Sequence, residues 1–322
     1  MSQLVMNERT IDGKKAVRRS KMAEARKFTP LFLMMLPGFI YLFVNNYIPM
    51  LGIAIAFKNV DFAKGIVGSD WAGLDNFKYL FATSDALVIT RNTLLYNSIF
   101  IVINLVVSVT IAVLLNEVRK RALLRFYQSA ILLPYLISMV IVGYLVFSML
   151  SMETGFLNKA LLPLLGLDEI LWYSETEYWP YILTIVNTWK NAGYLCVIYF
   201  AAIIGIDKEY FEAATIDGAG KWRQILQITL PLIAPVITVM TLLQIGRIFY
   251  SDFGLFYQVP LDAGALLPVT NVIDTYVYRG LMTIGDIGMS SAAGFYQSVV
   301  GFVLVFLSNY VVRKFNKENA LF

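Results

Sequence analysis

The chain has 322 residues, 58% of them hydrophobic and 15% charged, with a formal net charge of +4 and a mean hydropathy of +0.66. One soluble domain of this length cannot hide that much apolar surface, so the composition excludes a soluble globular fold and predicts an all-α polytopic membrane protein. Histidine is absent and Cys196 is the single cysteine, which excludes an intrachain disulfide and a His/Cys zinc site.

Residues 1–28 form a basic tail with eight Lys/Arg: Arg9, Lys14, Lys15, Arg18, Arg19, Lys21, Arg26 and Lys27. An apolar run follows from Pro30-Leu31 to about Phe57 with no small-x-small cleavage site, so an uncleaved first span behind a cytoplasmic tail is expected. A helical span needs roughly 20 mostly apolar residues. Six segments qualify: 31–56, 94–116, 126–150, 180–204, 231–250 and 289–312. Eighteen of the 26 Lys/Arg fall in the tail, in 117–125, in 205–230 and at the C-terminus. That bias predicts both termini and the 205–230 segment on the cytoplasmic side. The chain then divides into the tail 1–28, a first span with its outer loop (29–90), a five-helix core (91–312) and a C-terminal tail (313–322).

The outer loops 57–93, 151–179 and 251–288 hold aromatics such as Trp71, Trp172, Tyr173 and Trp179. Two readings stand: interfacial anchors, or a rim that receives an external partner. Pro134 in the third span and Pro235 near the start of the fifth each remove a backbone donor and favour a kink. Polar groups inside spans are costly and usually face the bundle interior. Asn97, Asn104 and Ser108 on the second span read as glue between helices. The fourth span carries Asn187, Trp189, Lys190, Asn191 and Tyr194; the fifth carries Gln244, Arg247 and Tyr250; the sixth adds Tyr296 and Gln297. Planar hydrogen-bonding groups and aromatic faces suit a sugar path. Lys190 and Arg247 have two readings, as cations that select a carboxylated sugar or as groups paired to Asp252 or to carbonyls.

Between the fourth and fifth spans lies a polar segment, 205–231. Glu209 to Ala214 have helix character, Asp217-Gly218 is a turn signal, and Ala213, Ala214 and Ala219 permit close approach of another backbone. Trp222, Ile225, Leu226 and Ile228 to Leu230 predict a second, amphipathic helix, with Pro231 in the first turn of the next span.

These residues resemble a known family. Glu212-Ala213-Ala214, Gly218, nine residues, then Ile228-Thr229-Leu230-Pro231 is similar to the permease signature of binding-protein-dependent ABC importers. The Asp217-Gly218-Ala219 form looks like the sugar-importing branch. The runs FGLFYQVP (253–260) and TNVIDTYVYRGL (270–281) resemble LplB-type permeases of oligosaccharide and polysaccharide-fragment uptake. The resemblance implies a type I importer permease fold in the bacterial plasma (inner) membrane. Glu212, Ala213, Ala214, Asp217, Gly218 and Ala219 would form a coupling helix seated in an ATPase dimer. It also implies a second homologous permease, an extracellular or periplasmic solute-binding protein and a saccharide substrate near mid-membrane. Membrane lipid surrounds the chain, and no nucleic acid is expected as a partner.

The chain has no phosphate-binding loop; Gly218-Ala219-Gly220-Lys221 is followed by Trp222 and lacks the upstream spacing. Catalytic residues, a metal site and a resident cofactor are therefore not expected, and ATP with Mg²⁺ would be used by the partner ATPase. An ion-coupled secondary transporter is the alternative. It needs a buried carboxylate or a broken helix around its ion, whereas Asp252 and Asp286 sit only at span edges.

Overall fold

The computed structural model describes residues 28–315, which are predominantly helical. The basic tail through Lys27 and residues 316–322 lie outside the described residues. The chain forms two compact units that part between Ala54 and Ile55. Helix α1 runs Phe28–Phe57, and its portion up to Ala54 is the first unit. Apolar side chains are exposed on every side of it, including Leu31, Met34, Phe39 and Leu51. A helix with no polar face takes hydrocarbon as its solvent.

In the second unit a short antiparallel pair, Lys58–Asn59 with Asp70–Trp71, precedes α2 (Asp75–Ala82). The longer elements follow in order: α3 (Asp85–Asn116), α4 (Arg121–Leu136), α5 (Met139–Leu150) and α6 (Trp179–Ile204). Helix α7 (Lys208–Ile216) leads into α8 (Lys221–Ile245). Two short helices, α9 (Phe253–Gln258) and α10 (Ile273–Arg279), precede α11 (Ile287–Phe315). Among the described residues, four helices are individually long and apolar enough to cross a bilayer: α1, α3, α8 and residues Ile287–Tyr310 of α11. The count reaches six if the bent pairs α4–α5 and α6–α7 each supply one span.

Several local expectations are corrected. The third span bends by 97° between α4 and α5, a full break where Pro134 was expected to favour a kink. Pro134 lacks an amide proton, Ile137 and Ser138 are extended, and the Ser138 hydroxyl caps the new helix by accepting from the Ile141 amide at 3.5 Å. The second span begins at Asp85, nine residues before the apolar run. Its polar first turns are held by distant carbonyls: the Asn92 side-chain amide donates to Asn271 O (2.9 Å) and Pro268 O (3.2 Å). The 251–288 loop contains α9 and α10, each started by a tertiary or capping contact. Asp252 accepts from the Leu255 amide at 3.1 Å, and Thr93 accepts from the Ile273 amide at 3.2 Å.

Pro231 lies in the first turn of the α-helical stretch Leu230–Ile245, as expected, but the amphipathic stretch is continuous with it rather than a separate helix, and the two together make α8. A π-turn at Ile225–Thr229 comes just before, with the Leu230 amide bonded to Ile225 O. The same arrangement precedes Pro49 (π-turn Phe43–Tyr47) and Pro163 (π-turn Leu157–Leu161). A widened turn already shifts hydrogen bonds from i−4 to i−5, so it accommodates a residue that has no proton to donate.

The core has three clusters. Tyr96, Phe100, Trp179, Leu183 and Phe256 make one. Ala112, Leu195, Cys196, Tyr199 and Ile233 make the second, with Cys196 fully buried as a small packing residue. Leu80, Ile89, Phe249, Ile273 and Ala293 make the third. Helices α3 and α6 are the central pair. Asn104 donates to Asn187 Oδ1 at 2.8 Å, and Ser108 donates to Ala192 O at 3.0 Å. Helix α4 meets α6 at Gly193, where an added Cβ would collide with the Ile131 carbonyl oxygen; only a residue without Cβ lets the two backbones approach this closely.

Candidate functional site: a coupling helix and a polar cavity

Two places in this fold have the chemistry of a transport site. The first is α7 and the turn after it. Asp207 caps α7 by accepting from the Glu209 amide at 3.1 Å. At the other end Gly218 takes φ +75°, and the Ala219 amide returns to Ala214 O at 2.8 Å. Gln224, buried on α8, donates to Thr215 Oγ1 (3.1 Å) and Ala219 O (3.0 Å), which fixes the α7–α8 angle. Lys221 pairs with Glu117 at 3.2 Å, tying the same turn to the end of α3. Glu212, Ala213, Asp217 and Gly218 are exposed; Ala214 and Ala219 are half-buried. Beside them Ile216 is 86% and Trp222 77% exposed. An ordered, capped helix with large apolar neighbours in the open is a surface shaped for a protein partner.

The second place is a cavity of about 490 Å³ between α3, α4, α6 and the end of α8. Six of the ten residues expected along a substrate path line it: Asn187, Asn191, Tyr194, Gln244, Arg247 and Tyr250. Asn97, Asn104, Tyr135 and Asp252 line it as well. Tyr135 and Tyr194 stack with ring centroids 4.8 Å apart. Asn97 and Asn104 act as glue and as wall together, since Asn97 donates to Ile248 O at 2.8 Å. The Asn104 carbonyl oxygen is buried without a hydrogen-bond partner.

The other four expected path residues are not among those lining the cavity. Trp189 is 46% exposed and points away from the core. Tyr296 shares a 3.1 Å hydrogen bond with Thr90, joining α11 to α3. Gln297 donates to Phe249 O at 2.9 Å and to Asp274 Oδ2 at 3.1 Å. Burial raises the pKa of Asp274, while this bond and one from the Ser251 amide oppose the rise.

Lys190 fills the break between α4 and α5. Its ammonium donates to Pro134 O at 3.3 Å, to Tyr135 O at 3.2 Å, and to Ile137 O. Pro134 O also accepts from the Ile137 amide at 3.2 Å, whereas a helix C-terminus leaves carbonyls such as those of Tyr135 and Ile137 without amide partners, and a cation there also meets the negative end of the helix dipole. Of its two sequence readings, the structure shows pairing to carbonyls. The broken helix therefore encloses a resident ammonium where an ion-coupled carrier would need room for its ion.

Nothing in the sequence marked Tyr135 or Gln224. Both sit in otherwise ordinary helical stretches, and their roles arise from neighbours in other helices or turns.

Comparison with known proteins gives the family. Residues 91–317 match the family model for the binding-protein-dependent transport system inner membrane component. Protein LplB of Bacillus subtilis is 36% identical over 300 residues, covering 93% of each chain. The polygalacturonan/rhamnogalacturonan transport system permease protein YteP of the same organism is 38% identical over 290 residues, covering 89% of each. Among solved structures, a chain of a bacterial ABC transporter involved in the import of the acidic polysaccharide alginate superposes with a TM-score of 0.82. It is 30% identical, with 90% of this chain and 97% of that chain covered. A second crystal structure, of a bacterial alginate ABC transporter with an alginate pentasaccharide-bound periplasmic protein, gives the same TM-score and identity. The chain described here belongs to the inner-membrane components of binding-protein-dependent transport systems and is a multi-pass transport permease.

Proposed function

We propose that this chain is one permease subunit of an ATP-driven importer of oligosaccharides released from acidic polysaccharides. It works with a second, homologous permease, a separate ATPase dimer that uses ATP and Mg²⁺, and an external solute-binding protein. Both termini and α7 face the cytoplasm. The substrate passes through the α3–α4–α6–α8 cavity. The names of the relatives support the substrate class, and the polar, aromatic-lined cavity suits it.

The observation that carries the coupling role is the surface of α7. The helix is closed at both ends by its own residues, yet Glu212, Ala213 and Ile216 remain in the open. An ATPase groove receives this helix, and closure of the two ATPases around ATP moves it together with α8. Gln224 and the Lys221–Glu117 pair transmit that movement, since they bind the turn to α8 and α3. The mutation Glu212→Arg inverts the charge of the exposed carboxylate without touching the bundle. In vesicles containing the whole transporter, ATP-dependent uptake of labelled trigalacturonate should fall to background while membrane insertion and co-purification with the second permease persist. Undiminished uptake in that variant would remove α7 as the coupling element.

A further inference from the structure

Two cations lie near the middle of the chain's polar wall, and the fold treats them oppositely. Lys190 is 8% exposed and saturated by three carbonyls. Arg247 is exposed and lines the cavity. Its backbone is satisfied where α8 ends, because its amide donates to Gln244 O at 2.9 Å. Its guanidinium has no hydrogen bond or ion pair with any described residue. The one carboxylate that shares the cavity, Asp252, is not within ion-pair distance and accepts instead from the Leu255 amide.

We propose that Arg247 is the specificity-determining residue of this cavity and binds the carboxylate of a uronic acid unit. The proposal rests on the reading that a saccharide passes through the cavity. A guanidinium offers a planar fork of donors that matches a carboxylate in two parallel hydrogen bonds. Asn191 and Gln244 stand beside it. Each uses its side-chain nitrogen on a carbonyl one turn back in its own helix, at 3.0 and 3.4 Å. Their side-chain oxygens remain as acceptors for sugar hydroxyls. The stacked Tyr135–Tyr194 pair supplies a flat apolar face for the ring's C–H surface. An exposed guanidinium such as that of Arg247 is hydrated until a ligand displaces the water. A neutral sugar displaces that water without pairing the charge, which is unfavourable; a uronate displaces it and pairs the charge. Selectivity for the acidic sugar follows from that difference.

The test is equilibrium binding to the purified transporter, with both permeases and both ATPases but without the solute-binding protein, which would impose its own selectivity. Trigalacturonate and its fully methyl-esterified form share length and backbone and differ in charge. The wild-type transporter should bind the acid at least tenfold more tightly than the ester. Arg247→Gln should weaken the acid at least tenfold and leave the ester within twofold, and Arg247→Lys should fall between. Equal weakening of both ligands, or an acid affinity that does not change, overturns Arg247 as the reader of charge while leaving the saccharide path standing. Failure of the wild-type transporter to bind either ligand overturns the path itself, and this proposal with it.

Discussion

Helix α7 and the α4–α6 wall of the cavity are built in opposite ways. Every end of α7 is satisfied by residues between Asp207 and Gln224, through an aspartate cap, a left-handed glycine and one returning glutamine. The wall is held by residues far apart in the chain. Lys190 reaches carbonyls 53 to 56 positions away, and Gly193 admits the Ile131 backbone. A self-capped helix keeps its shape when a partner grips it, so it suits a lever. A wall made only by crossing helices changes when those helices shift, so it suits a cavity that must open and close.

Three substitutions separate the two designs. Lys190→Met should have the largest effect. It removes the ammonium donor from three carbonyls at the break, of which only Pro134 O keeps an amide partner, at a cost of about 3 kcal/mol. The purified complex should melt well below wild type and assemble poorly. A melting temperature equal to wild type would mean that water from the cavity replaces the ammonium, and the wall would then be less dependent on distant contacts than drawn here. Gly193→Ala should cost about 1–3 kcal/mol by forcing α4 away from α6. It should also reduce saccharide binding, because Tyr135 and Tyr194 stack across that contact. Loss of stability without loss of binding would separate the crossing from the cavity. Gln224→Leu is the mildest, at about 1 kcal/mol. Hydrogen exchange should quicken in α7 alone while the melting temperature of the bundle stays near wild type. Protection of α7 unchanged by the mutation would show that this helix needs no tie to α8.

Much of the molecule was legible from residue order. Apolar runs located the spans because a bilayer demands about 20 apolar residues wherever a helix crosses it. The EAA segment was legible because its caps and turn lie within a few residues of each other, and Gly218 does adopt the left-handed conformation its turn requires. The start of α3 was not legible, since Asp85, Arg91 and Asn92 look like loop until the carbonyls of Pro268 and Asn271 are brought to Arg91 and Asn92. That the amphipathic stretch runs on into the fifth span was not legible, because a π-turn has no signature in an apolar run.

The two cations show most clearly where residue order stops. Lys190 and Arg247 are both basic residues in polar stretches of long segments, and periodicity assigns them the same inward direction. Composition and spacing by themselves determined that this is a membrane bundle with a polar, turn-closed helix between two of its spans, because the solvent and the local backbone geometry impose those features residue by residue. Which cation is buried in a helix break and which faces the cavity was decided by how α4 bends against α6. That bend depends on partners more than fifty residues apart, and a hydrogen bond between them exists only after the helices have packed.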